Sequence, residues 1–268
     1  MLQSIEADIG VLSELDPEPV EVVNPDGGSR FFITCEHAGR AVPASLGDLG
    51  VSDSEMDRHI AYDVGAEGFS RRLSALLDAP LVLQRYSRLV IDCNRPLEAA
   101  DCIPEVSDRT PVPANAGLGV EHRRRRFEEI HQPFHRKVAQ MLDKRAASAE
   151  ETILVSAHSF TPKLVGGTSR PWFVGALSNR DASFAEAFLA ELGSARPDVP
   201  CAHNQPYIVD DLSDYTIPVH GEGRGLPHVL LEIRNDLISD RDGQERWATL
   251  VAAVLAAAAT PRDPAHGR

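Results

Sequence analysis

The chain is poor in the features that mark several common protein classes. Its 268 residues hold only four cysteines, Cys35, Cys93, Cys102 and Cys201, with no CxxC pair among them. That spacing offers neither a disulfide framework nor a zinc-finger ligand set, and it points to reduced thiols in a cytosolic protein. Long apolar runs are missing too: nothing approaches the ~18 consecutive apolar residues of a membrane span. Met1 to Pro17 carries acidic side chains where a secretory signal would place basic and then apolar blocks, so a cytoplasmic location without a membrane partner is expected. Positive charge is scarce: 27 Lys and Arg stand against 40 Asp and Glu, a formal net charge of -13. That balance argues against a nucleic-acid partner, which needs a basic footprint. The one basic run, Arg123 to Arg126, lies in a Glu-rich helical pattern and reads as a solvated face. No GxGxxG follows the first strand, so an oxidoreductase on a doubly wound sheet lacks its dinucleotide fingerprint.

What is present is an ordinary globular composition, 43% apolar and 25% charged, sufficient for a sizeable core. Residues 1–29, with Pro17, Pro19, Pro25 and an Asp26-Gly27-Gly28 turn, predict a loosely structured lead-in, 30–259 one folded domain and 260–268 a loose tail. Residues 31–35 predict a buried strand that stops on Glu36-His37-Ala38-Gly39. Ser52 followed three residues later by Glu55 has the form of a capping box. The apolar spacing of Met56, Ile60, Val64, Phe69, Leu73 and Leu76 then predicts one helix to Leu77, with His59 and Asp63 on the same face. Strands are predicted over 80–84, 88–92, the part of 151–162 that stops on His158, 171–177 and 228–236. Helices are predicted over 120–147, from Asp181 through Leu192, and over 243–259. Residues 99–119 form a Pro- and Gly-rich stretch long enough to be a functional loop, and the chain after Cys201 reads as irregular. Strands separated by helices, with no repeat and no linker, predict a single α/β domain on a largely parallel sheet.

The predicted strand in 151–162 delivers His158 at its carboxyl end, where an open α/β sheet leaves a crevice for ligands. Other strand ends offer His37, Asn94-Arg95 and Glu232-Arg234, and the helix offers Asp63. Two imidazoles and one carboxylate make a three-ligand zinc site with a fourth position open to water, whose pKa the ion lowers toward ~7. A separate carboxylate can pass the proton to a leaving amine, and Glu232, following Val229-Leu230-Leu231, is placed for that task. Arg95, Arg170 or Arg234 could grip a substrate carboxylate with two parallel hydrogen bonds. His131-Gln132-Pro133-Phe134-His135 superficially suggests the HExxH zinc helix, but Gln132 replaces the glutamate and Pro133 would kink the helix. His135 is kept as a contact near the site.

Five segments in order, Glu36 to Gly39, His59 to Ala66, Tyr86 to Arg95, His158 to Pro162 and Leu231 to Leu237, together resemble the N-formylglutamate amidohydrolase family over residues 30 to 255. The family is similar in fold to zinc carboxypeptidases and aspartoacylases. The resemblance therefore implies a three-layer αβα sandwich around a mixed, largely parallel sheet, a phosphorylase/hydrolase-like arrangement. It also implies His37 and His158 as zinc ligands, Asn94 and Arg95 as the grip on the substrate carboxylate, and Glu232 as general base. The carboxypeptidase pattern HxxE would need glutamate where this chain has Arg40, so Asp63 is the preferred third ligand and Glu36 the second choice. N-formyl-L-glutamate, cleaved to formate and glutamate, is the expected substrate. Another N-acyl amino acid or a short peptide is an alternative, because the chain reads Glu-His-Ala-Gly where the histidine-degradation enzyme is expected to read Pro-His-Ser-Gly. The non-enzymatic alternative is a small-acid binding module on the same fold.

Overall fold

The computed structural model describes residues 10–260. Strands β1 (Val20–Val23), β2 (Phe31–Cys35), β3 (Leu81–Gln84), β6 (Ile153–Phe160), β7 (Val174–Leu177), β8 (Cys201–His203) and β9 (His228–Arg234) form one seven-stranded sheet in the order β1-β3-β2-β6-β9-β7-β8. The central strands β3, β2, β6 and β9 run parallel, while β1 and β7 pair antiparallel with β3 and β9. A two-residue hairpin, β4 (Val106–Ser107) with β5 (Thr110–Pro111), stands apart. The helices are α1 (Asp53–Met56), α2 (Ala66–Leu77), α3 (Val120–Arg126), α4 (Gln132–Ala147), α5 (Ser183–Ala195) and α6 (Arg241–Ala258).

Alternation along the strands divides the core in two. Phe31, Ile33, Cys35, Ile153, Val155, Ala157, Val229, Leu231 and Ile233 point to one face, where α2, α5 and α6 pack. Phe32 and Leu154 point to the other, against α4 and the buried chain around residues 86–103. Because side chains alternate with a period of two, Ser156, His158, Leu230 and Glu232 share that second face, where the helical layer is interrupted and a cleft opens. The three layers confirm the αβα sandwich and the largely parallel mixed sheet. No helix among the described residues is long and apolar enough to cross a membrane.

Several local expectations are corrected. Val20–Val23 is a strand of the sheet, so the lead-in carries structure where β1 covers the otherwise unpaired edge of β3. Its first nine residues and the tail after Thr260 lie outside the described residues. The single helix expected over 52–77 is two helices, and Ser52 makes no cap bond from its side chain. The break ends at Gly65, whose φ of +82° is left-handed and where a Cβ would lie 2.1 Å from the Ile238 carbonyl oxygen. His59 and Asp63 therefore do not share a helix face. Residues 88–92 form a turn, because Arg88 and Asp92 are drawn into the site and the backbone is held by side chains instead of a ladder: Asn115 donates to Leu89 O and Arg126 to Val90 O. Arg126 is thus buried, whereas Arg124 and Arg125 stay on the solvated face with Glu121. Cys201–His203, read as irregular, is strand β8. Helices α3 and α4 run on as one rod through a π-turn at Phe127–His131, which relieves the ladder just before Pro133 in place of a break.

Candidate metal centre and cleft

His37 lies two residues beyond β2 and His158 lies within β6, so parallel pairing of β2 with β6 brings the imidazoles together. Their ring centroids are 4.8 Å apart, and the two Nδ1 atoms face each other at 3.1 Å. The close return of the chain after His37 needs Gly39, where a Cβ would sit 1.9 Å from the Arg85 carbonyl oxygen. Asp63 enters from the segment before α2, its N–H donating to His37 O and its Oδ2 accepting from the Ser159 N–H. Oδ2 lies 2.9 Å from His158 Nδ1 and 3.5 Å from His37 Nδ1. All three side chains are buried.

The far side of each imidazole meets another carboxylate. His37 Nε2 is 2.6 Å from Asp92 Oδ1, and His158 Nε2 is 2.9 Å from Glu36 Oε2. Such acceptors hold a ring proton on each Nε2 and turn each Nδ1 inward. Glu36 is fixed by Ser156 and Thr216 hydroxyls at 2.9 and 2.7 Å, so it reaches His158 from behind and stays outside the three-atom cluster. Burial opposes charge on His158, but hydrogen bonds to Asp63 and Glu36 outweigh it and hold its pKa well above the ordinary value. Burial likewise opposes ionisation of Glu36, Asp63 and Asp92. For Glu36 and Asp63 the histidines reverse the effect, holding Glu36 at about 2 and Asp63 well below its usual range. Asp92 is kept low by Arg88 and His37 together.

Glu232 stands beside His158 on the same face, the two being register partners of β6 and β9. Its Oε2 is buried with no hydrogen-bond partner among the described residues. Burial pushes its carboxyl up to about 8, against the pull of His158. Glu232, His37, His158 and Asp92 line a cleft of about 680 Å³, and residues of the irregular 99–119 stretch, among them Pro104 and Val106, form part of its wall.

The other expected residues divide. Asn94 and Arg95 line the cleft, but the Asn94 amide is engaged: Nδ2 donates to Asp214 at 2.9 Å, and Oδ1 accepts from the Tyr215 and Thr216 N–H groups. Arg95 pairs with Asp101 at 3.0 Å and also donates to Ser213 O. Arg170 and Arg234 do not line the cleft. Arg170 donates to the Tyr207 hydroxyl and covers that ring, while Arg234 pairs with Asp236 over Phe173. His131 and His135 do not join the centre: both are buried, His131 Nε2 lying 2.9 Å from Arg95 O and His135 Nε2 2.6 Å from Cys93 O. His59 reaches the cleft wall but pairs with Asp108 at 3.4 Å. Sequence reasoning missed Arg88 and Asp92 as site residues. Their signal was available as two charges four apart around the apolar Leu89-Val90-Ile91, a pattern that a buried turn satisfies by pairing them at 2.5 Å.

These features define a class: an αβα-sandwich protein with a histidine–carboxylate centre toward the carboxyl ends of its parallel strands. The family model for N-formylglutamate amidohydrolase matches residues 29–239, and the chain belongs to that family of amidohydrolases. Its fold is similar to that of gene product Atu2144 from Agrobacterium tumefaciens, at 34% identity and a TM-score of 0.89, over 92% of this chain and 97% of that one. It is also similar to N-formylglutamate amidohydrolase from Ralstonia eutropha JMP134, at 16% identity and a TM-score of 0.68, over 89% and 96% of the two chains, a likeness of fold. No curated protein matches the sequence.

Proposed function

We propose that this chain is a zinc-dependent amidohydrolase that cleaves the amide of an N-acyl amino acid, with N-formyl-L-glutamate as the first substrate to test. The observation that carries this reading is the convergence of His37 Nδ1, His158 Nδ1 and Asp63 Oδ2, all within 4.8 Å of one another. Their separations of 2.9, 3.1 and 3.5 Å bracket the roughly 3.3 Å expected between neighbouring ligands about 2.0–2.1 Å from a tetrahedral ion. Three inward-facing atoms, each imidazole backed by a carboxylate, are a donor set that suits a cation, which would take the place of the proton His158 Nδ1 shares with Asp63. A divalent ion held there supplies Lewis acidity to a water molecule and to the acyl carbonyl.

The remaining steps fall to the chain's own groups. Glu232, buried and with a carboxyl pKa near 8, takes the proton from the attacking water and returns it to the leaving amine nitrogen. Arg95 exchanges part of its bond to Asp101, whose side chain is 63% exposed, for the substrate carboxylate, and Asn94 holds the Asp214 side chain and the 215–216 backbone beside it. Asp92 and Glu36 keep the imidazoles in one tautomer and orientation. We place the enzyme in the cytoplasm, where its four free thiols remain reduced. Metal analysis of the purified protein, combined with formate release from N-formyl-L-glutamate with and without chelator, tests the reading. One equivalent of zinc and chelator-sensitive release are expected. Metal-free protein that neither takes up zinc nor releases acid from any N-acyl amino acid overturns it.

A further inference from the structure

The cleft above the centre is larger than a formylated amino diacid requires. Its volume of about 680 Å³ lies in the range that encloses drug-sized ligands, whereas N-formylglutamate has about a dozen non-hydrogen atoms. The cleft is mixed in polarity: beside His37, His158, Arg88, Arg95 and Glu232 its lining includes the buried apolar Leu177 and Leu230. The mouth is built by three separate segments: the β4–β5 hairpin supplies Val106, the loop after β6 supplies Leu164, and the loop after β8 supplies Tyr207 and Ile208. These four stay 59%, 37%, 40% and 73% exposed, and they are four of the ten large apolar side chains left exposed among the described residues. Scattered exposed apolar residues need no explanation; a concentration of them on one cleft, continuous with the reacting groups, indicates an apolar ligand.

The charge of the cleft points the same way. Asp92, Asp101, Asp108, Asp214 and Glu232 line it, against the two arginines Arg88 and Arg95. Arg88 is held between Asp92 at 2.5 Å and Asp63 at 3.4 Å, so only Arg95, through its exposed partner Asp101, can turn to a ligand. One substrate carboxylate is provided for, and among the described residues the second arginine of the cleft, Arg88, is already taken by Asp92 and Asp63.

Building on the amidohydrolase reading, we infer that the substrate is an N-acyl amino acid with a single carboxylate and a long aliphatic acyl chain, which lies along Val106, Leu164 and Ile208. The scissile amide then sits between the centre and Glu232, the carboxylate at Arg95 and the chain toward the mouth.

Calorimetric binding to the Glu232→Gln protein, which retains the cleft but lacks the base, separates this inference from the reading it rests on. Across N-formyl-, N-butanoyl-, N-hexanoyl- and N-octanoyl-L-alanine, affinity should rise about threefold per methylene. N-octanoyl-L-alanine should bind at least tenfold more tightly than N-formyl-L-glutamate. Leu164→Asp and Ile208→Asp should each flatten that rise. Affinity that is independent of chain length, or that is highest for N-formyl-L-glutamate, overturns the inference, as does failure of the whole series to bind. Turnover by the wild-type enzyme tests the other claim: a chain-length rise without hydrolysis keeps the apolar subsite and removes the amidohydrolase assignment. Preferred hydrolysis of N-formyl-L-glutamate does the reverse.

Discussion

His37 and His158 each turn one nitrogen toward the shared centre and the other toward a carboxylate, so the carboxylates around them have different tasks. Asp63 Oδ2 belongs to the converging set, while Glu36 Oε2 touches only the outer nitrogen of His158. Asp63→Ala should therefore abolish stoichiometric metal binding. Glu36→Gln should keep one equivalent but weaken it by ~10- to 100-fold, since partners behind a ligand tune affinity by about that factor. Chelator competition on both variants checks this, and loss of metal in Glu36→Gln alone would exchange the roles. Among the described residues Glu232 Oε2 has no hydrogen-bond partner, and Arg170 and Arg234 make their side-chain hydrogen bonds elsewhere, so Oε2 is left buried and unpaired in the fold. Glu232→Gln should lower kcat by ~10² to 10⁴ with metal content and melting temperature preserved. A variant with near-full turnover would remove it from the mechanism. Arg95→Lys should raise KM more than it lowers kcat, because an ammonium cannot reproduce a two-bond grip on a carboxylate. Unchanged kinetics would remove Arg95 from the grip on the substrate.

At the level of elements, the site depends on chain that is neither helix nor strand. Asp63 reaches the histidines only because the chain breaks between α1 and α2, and Gly65 sets the end of that break beneath the Ile238 carbonyl. Gly65→Ala places a side chain at a left-handed φ, a cost of about 1–3 kcal/mol before the clash with Ile238 is added. Urea unfolding should show at least that loss, and metal content should fall with it because Asp63 is displaced. A stable variant with full metal content would show that the break is set elsewhere. The turn bearing Arg88, Asp92 and Arg95 is held in a comparable way by the α3–α4 rod. Arg126 donates to Val90 O, His131 to Arg95 O and His135 to Cys93 O. Burial keeps both imidazoles neutral, lowering His131 to about 4 and His135 well below its ordinary value, so each presents one N–H to its carbonyl across the physiological range.

At the scale of the whole molecule, stability and pH are linked through a carboxyl that runs against the usual pattern. Burial raises Asp214 to about 7, above its unfolded value near 3.8, so between those values the folded chain holds a proton that the unfolded chain has released. Its contribution is full at the acid end of that window and is lost as pH rises toward 7. Asp214→Asn should therefore match the wild type only near pH 3.8 and below, exceed it slightly at pH 5 and exceed it more at pH 8, by on the order of a few kcal/mol at most. Denaturant melts at the two pH values check this, and an equal difference at both would show that Asp214 does not titrate on folding. Much of the molecule was legible without coordinates. The apolar runs of β2, β6 and β9 are long enough to identify, and their alternation alone puts His158 and Glu232 on one face if those strands pair in register. The family motifs around them name the chemistry. What the sequence could not decide rests on contacts between distant segments. Apolar spacing from Met56 to Leu76 fits one helix, and only the Ile238 carbonyl against Gly65 interrupts it and frees Asp63. Leu89-Val90-Ile91 fits a strand, and only Asn115 and Arg126, from a loop and a helix further along the chain, supply its backbone bonds and make it a turn. Arg170 and Arg234 carry the right charge for a substrate grip, but Tyr207, Phe173 and Asp236 engage them outside the cleft. Local pattern determined the strands, their faces and the two histidines; packing across the sheet determined which carboxylate joins them and which arginine is left to meet a ligand.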